Sequence, residues 1–212
     1  MLEIKPKRGI VLGLVGPVCA GKSEVCRRLR ELGAEIYEAD AIVRGLYEQP
    51  DVKDAVRGLF GAEVFDPDGS VDRSAIASRV FGPAGDSILR RRLTDEIIFP
   101  RTGLILRSAI DRFRAAARSH DILVLDAPTL LEAGRADWCD AILLVTAPLE
   151  RRREWVRSRG WPPDELERRD AAMLPVSEKR RLADYVIENT GSPADLRADV
   201  DRVWSRFRGN GA

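Results

Sequence analysis

Histidine occurs once and cysteine three times in this chain of 212 residues, so chemistries built on either have little to work with. Cys19, Cys26 and Cys139 show no metal-ligand spacing, and their odd number argues against a disulfide framework, which fits a reducing cytoplasm. His120 precedes a predicted strand at its amino end, a poor position for a general base and a good one for a surface turn. An excess of one charge is also missing. Lys and Arg number 35 against 34 for Asp and Glu, a formal +1, so no global field marks a nucleic-acid binder. No apolar run approaches the roughly 18 residues that a membrane span requires, and nothing near Met1 resembles a cleavable leader. The expectation is a soluble cytoplasmic protein, a monomer or weak homo-oligomer, with no nucleic-acid or membrane partner.

What the chain does have is Gly16-Pro17-Val18-Cys19-Ala20-Gly21-Lys22-Ser23, which satisfies the phosphate-loop pattern G-x-x-x-x-G-K-[ST]. The apolar segment Ile10 to Val15 before it suits a buried parallel strand, and Ser23 to Leu32 after it reads as a helix. Strand, loop and helix in that order is the context the motif needs. Backbone N–H groups of such a loop converge on phosphate oxygens, and the helix beginning near Gly21 adds its positive dipole end. Lys22 reaches the β- and γ-phosphates, the Ser23 hydroxyl is a Mg²⁺ ligand, and Glu24 continues the nucleotide-binding run. Glycine at 16 and 21 permits the tight turn and close approach. The competing reading, an ordinary glycine-containing turn, does not account for Lys22 and Ser23. The motif alone implies ATP or GTP.

Apolar segments bounded by polar turns recur at Ile10 to Val15, Glu35 to Tyr37, Ile122 to Leu125, Ala141 to Val145 and Tyr185 to Ile187. Stretches of helical spacing separate them, such as Val25, Leu29 and Leu32. This alternation predicts an α/β fold, a P-loop NTPase-type parallel sheet flanked by helices, with ligands beyond the carboxyl ends of the strands. Two intervals are longer than a crossover requires. One, about 41–119, predicts a helical acceptor-substrate insertion. The other, about 149–183, is arginine-rich, is interrupted by Gly160-Trp161-Pro162-Pro163 and predicts a mobile lid. Both belong to one domain whose core is about 9–40, 120–148 and 184–208.

Asp40 follows the second predicted strand, where a carboxylate could take a proton from an acceptor hydroxyl or could cap a helix beginning at Ala41. Asp126 ends the third, a place for a Mg²⁺ ligand or a strand-end cap. Glu132 could orient substrate or face solvent, and Arg44 could meet an acceptor phosphate or a surface acid. Phosphoryl transfer needs positive charge around the migrating group. Arg151, Arg152, Arg153, Arg157 and Arg159 offer it; sequence does not sort them, and Arg157 and Arg159 are the two assigned to catalysis. Trp155 and Trp161 read as packing residues.

Together these motifs resemble the dephospho-coenzyme A kinase family from about Ile10 to Phe207. The family's D-A-D-x-x-x-R element is here Glu38-Ala39-Asp40-Ala41-Ile42-Val43-Arg44, and its D-G-x-x-D-R and V-F elements are Asp68 to Arg73 and Val80-Phe81. Its P-L-L-x-E resembles Pro128 to Glu132, and its late A-D-x-x-I-x-N-x-G resembles Ala183 to Gly191. The resemblance implies transfer of the ATP γ-phosphate to the ribose 3′-hydroxyl of dephospho-coenzyme A, with Mg²⁺ and with Asp40 as base. It puts Asn189 and Gly191 on the adenine side, and Arg44, Asp72, Arg73, Pro128 and Glu132 on the acceptor side. Departures are Phe99 for a histidine, Met173 for a glutamine, Glu38, Thr129, and Pro17 and Cys19 for loop glycines. They leave two alternatives, a kinase for another nucleotide or small hydroxyl compound and a non-catalytic nucleotide-binding regulator.

Overall fold

The computed structural model describes residues 9–81, 85–162 and 164–209. Pro163 of the expected lid interruption, residues 1–8 and the tail beyond 209 lie outside the described residues. The strands are β1 (Ile10–Val15), β2 (Glu35–Glu38), β3 (Ile122–Asp126), β4 (Ala141–Thr146) and β5 (Tyr185–Glu188). The first helices are α1 (Lys22–Glu31), α2 (Ala39–Leu46), α3 (Pro50–Phe60), α4 (Arg73–Phe81), α5 (Ser87–Arg92) and α6 (Phe99–Ala116). The remainder are α7 (Leu149–Ser158), α8 (Glu165–Ala171), α9 (Val176–Leu182) and α10 (Pro193–Gly209).

The strands form one parallel sheet in the order β2-β3-β1-β4-β5. Every strand foreseen as an apolar segment is present. Four of them run one residue further than the apolar pattern, because Glu38 and Asp126 are still in register, as are Thr146 and Glu188. Parallel strands share their carboxyl edge, so Val15, Glu38, Asp126, Thr146 and Glu188 mark one rim. The opposite edge is pinned by aspartates just before two strands. Asp140 Oδ2 accepts from Val11 N at 2.8 Å, and Asp184 Oδ2 accepts from Ile142 N at 2.8 Å, extending each ladder by a side chain.

Central parallel strands are covered on both faces and so are apolar throughout. Leu12, Leu14, Val124, Leu143 and Val145 face Val25 and Leu29 of α1 and Leu196, Val200 and Trp204 of α10. The alternate residues Val11, Val15, Leu123, Leu125, Ile142 and Leu144 point the other way and are equally buried.

Packing divides the chain into two compact units, Met1–Glu38 with Ser108–Ala212, and Ala39–Arg107. The sheet lies in the first. The second is built on helices around Leu46, Val52, Val56, Phe60, Ile76, Val80 and Ile97. A π-helical turn, Leu93–Ile98, leads into α6, with Phe99 N–H donating to the Thr94 carbonyl five residues back. Pro100 follows at once and has no N–H to give, so the widened turn lets the helix enter a proline without a broken α-ladder.

Candidate active site

The chain leaves β1 at Val15 and turns at Gly16, with φ +151°. A Cβ at Gly16 would lie 2.1 Å from the Val145 carbonyl oxygen, a backbone atom that cannot yield, so only glycine fits. Cys19 takes the left-handed region at φ 57°, alone among the described non-glycine residues, so the loop keeps its turn where the family commonly has glycine. At Gly21, φ +101°, a Cβ would meet Asn189 Nδ2 at 2.4 Å.

Side chains then hold the loop carbonyls. Lys22 Nζ donates to Gly16 O at 2.8 Å and Pro17 O at 2.9 Å, Arg152 Nε to Val18 O at 2.7 Å, and Asn189 Nδ2 to Ala20 O at 3.1 Å. Across a trans peptide the C=O of one residue and the N–H of the next point in opposite directions. Fixing these carbonyls therefore turns the N–H groups of Val18, Cys19 and Gly21 to the other side, the arrangement that binds an anion. No side chain caps the start of α1, where the helix dipole adds positive potential. Ser23 is exposed there. Glu24 is turned aside: its N–H donates to Gly21 O at 3.0 Å and its carboxylate pairs with Arg27.

Asp126 ends β3, in register with Leu14 of β1 and Glu38 of β2, and is half-buried. Its carboxylate lies against the Cys26 thiol of α1, whose pKa is pushed far above the ordinary thiol range, first by burial and then by this negative charge. Burial, with Asp140 and Asp137 nearby, likewise pushes the Cys139 thiol up to about 12. Neither is a nucleophile near neutral pH. Ser23 and Asp126 are oxygen donors, as a small hard cation prefers. Among the described residues no group of three or more His, Cys, Asp or Glu could hold a metal ion.

The structure sorts the arginines. Arg151 donates to the Gly191 carbonyl and lies over the Trp155 ring. Arg152 is 4% exposed and bonds the loop, while Arg153 is paired with Glu150 and Glu167. The Arg157 side chain is exposed and makes no hydrogen bond or ion pair among the described residues. Arg159 places Nη1 3.4 Å from Cys19 Sγ, beside the loop tip. Trp155 and Trp161 pack around Cys19, Val156 and Leu166.

A sequence model of the dephospho-CoA kinase family matches residues 10–195. A dephospho-CoA kinase from Anaeromyxobacter dehalogenans is 40% identical over 94% of this chain and 92% of its own length. The chain belongs to the dephospho-CoA kinase family. It is an ATP-dependent kinase. Among solved structures, TT1252 from Thermus thermophilus shares 30% identity with a TM-score of 0.76, covering 97% of this chain and all of that one. A dephospho-CoA kinase from Campylobacter jejuni has the same fold at 18% identity, TM-score 0.67, over 94% and 98% of the two chains.

Several residues of the dephospho-CoA kinase motifs have structural partners that the sequence did not reveal. Glu132 does not face solvent. It lies half-buried, accepts from Leu174 N at 2.9 Å and pairs at 2.8 Å with Lys179, which also donates to Pro128 O at 2.9 Å. The Asp72 carboxylate caps α4 through Ser74 N and Ala75 N, leaving Arg73 exposed at the helix start. Gly191 is crowded by Asp195, whose N–H donates to the Oγ of Ser192, the cap of α10, and whose carboxylate accepts from Ser192 N at 2.8 Å. Helix α2 starts at Ala39 rather than Ala41, so Asp40 lies within its first turn and is not its cap. Asp40 and Arg44 are exposed and, among the described residues, their side chains make no hydrogen bond or ion pair. Phe99, at the family's histidine position, packs on the core of its own unit. Met173 N–H donates to the Asp170 carbonyl at 3.0 Å.

Proposed function

We propose that this kinase moves the γ-phosphoryl group of ATP to the ribose 3′-hydroxyl of dephospho-CoA, the last step in making coenzyme A. The 3′-oxygen forms a bond to phosphorus, the bond from phosphorus to the β,γ-bridging oxygen breaks, ADP leaves, and the hydroxyl proton goes to Asp40. Loop N–H groups and Lys22 hold the triphosphate, and Arg157 and Arg159 bring positive charge to the oxygens of the migrating group. Ser23 and Asp126 would hold Mg²⁺, which when bound neutralises phosphate charge. Arg44, Arg73 and Glu132 serve the acceptor side.

The observation that supports this reading most is the loop whose carbonyls are tied outward by Lys22, Arg152 and Asn189. A second reading, another hydroxyl acceptor, is favoured by one feature, the apolar Phe99 at the histidine position. An acceptor screen read by ADP release separates them. The expected result is a kcat/KM for dephospho-CoA at least about a hundredfold above any other nucleotide or sugar alcohol, since a site whose polar groups are left unpaired by the wrong acceptor discriminates by at least that much. An equal or better alternative acceptor would give the second reading the stronger claim.

A further inference from the structure

Arg152 stands in a run of three arginines on α7, yet its environment sets it apart from its neighbours. It is buried, its Nε donates to the Val18 carbonyl at 2.7 Å, and its Nη2 reaches both carboxylate oxygens of Asp170 on α8 at 2.7 Å. One guanidinium thus joins the tip of the phosphate loop to two helices of the arginine-rich segment. An apolar cluster lies at the same joint: Cys19 packs with Val156, four residues on from Arg152, and with Leu166 of α8, bordered by Val18, Trp155 and Trp161.

We propose that Arg152, oriented by Asp170, is a positioning residue that sets the phosphate loop for ATP. Its reach to Val18 O holds that peptide with the carbonyl turned to α7, and the N–H of Cys19, across the same trans peptide, turned to the opposite side. Unheld, the peptide can rotate and offer a carbonyl oxygen to the triphosphate in place of an N–H. Cys19 makes this hold important, because a non-glycine residue in the left-handed region is strained and stays there only when its surroundings enforce it. The same contact makes the loop tip and the base of the segment carrying Arg157 and Arg159 a single packed body. Arg152 therefore does not touch phosphate. A planar guanidinium fits the task, since it serves a carbonyl and a carboxylate through separate N–H groups, which one ammonium does less well. The inference rests on the ATP-binding part of the proposed function and not on the identity of the acceptor.

The test uses the full-length protein with Arg152→Met, Arg152→Lys, Asp170→Asn and the Arg152→Met/Asp170→Asn double variant. ATP binding is measured by calorimetry without acceptor, then kcat and both KM values with dephospho-CoA, all well below each variant's Tm. Arg152→Met is expected to weaken ATP binding about tenfold or more, the worth of a charged hydrogen bond, with the KM for dephospho-CoA changed less than about twofold. Arg152→Lys should recover part of the loss, and Asp170→Asn should show a smaller loss of the same kind. The double variant should be no worse than Arg152→Met, because Asp170 acts through Arg152. A fall in Tm with ATP affinity unchanged would make the contact merely structural and overturn the proposal. So would additive losses in the double variant or a defect confined to the KM for dephospho-CoA. If Arg152→Met does not fold, Asp170→Asn decides, since its ATP affinity must still drop. Wild-type protein that binds ATP yet makes no coenzyme A would count against the acceptor assignment while leaving the calorimetric test intact.

Discussion

Replacing Lys22 by methionine lowers kcat between about a hundredfold and a thousandfold, the usual loss when a donor to developing transition-state charge is removed. The Lys22 ammonium touches the Gly16 and Pro17 carbonyls, and in the proposed function it has two tasks, holding the loop open and meeting phosphate. Both are lost with the charge. Because negative charge shifts toward the leaving ADP oxygen as the reaction proceeds, the lost contact is stronger in the transition state than in bound ATP. kcat and kcat/KM should therefore fall together. A raised KM for ATP with kcat unchanged would mean that Lys22 contributes only to binding. Lys22→Arg should rescue poorly, since a planar fork does not replace a compact point charge that rotates between carbonyls and phosphate.

In the proposed function Asp40→Asn removes the proton acceptor while keeping shape, and kcat should fall about a thousandfold. Asp40 is exposed in the first turn of α2 and engaged with no other described side chain. Among the described residues its side chain contributes only a negative charge near a helix N-terminus, worth about 0.3–1 kcal/mol, so the variant stays folded and its Tm moves little. ATP affinity should be unchanged. A helix-stabilising role alone predicts the reverse pattern, a small loss of stability with kcat within threefold of wild type, and the two outcomes are easily distinguished by steady-state assay and thermal unfolding.

The sheet was readable because central parallel strands are apolar on both faces, so β1, β3 and β4 stand out as uninterrupted runs. The phosphate loop was readable because its chemistry demands fixed residue types at fixed spacing. The supports of the loop were not. Arg152 lies between the half-buried Arg151 and Arg153, and Lys179 precedes the exposed Arg180 and Arg181, yet Arg152 and Lys179 are buried against carbonyls and carboxylates brought from distant segments. One local signal was present: Arg152 and the apolar Val156 are four apart on α7 and so share a face. Asn189 likewise meets the loop through a contact that spans most of the chain, and no short pattern encodes that. The cap formed by Asp72 was legible in principle, since aspartate before a helix commonly accepts from its first turn. The π-helical turn before Phe99 could be suspected only from Pro100 within a helical pattern.

The sharpest check is the identity of the product. Purified protein is incubated with ATP, Mg²⁺ and dephospho-CoA, and the mixture is resolved by mass spectrometry beside a Lys22→Met control. Coenzyme A and ADP accumulating in equal amounts, and only in the wild-type reaction, is the predicted result; ADP without coenzyme A, or coenzyme A formed equally by the control, would contradict it.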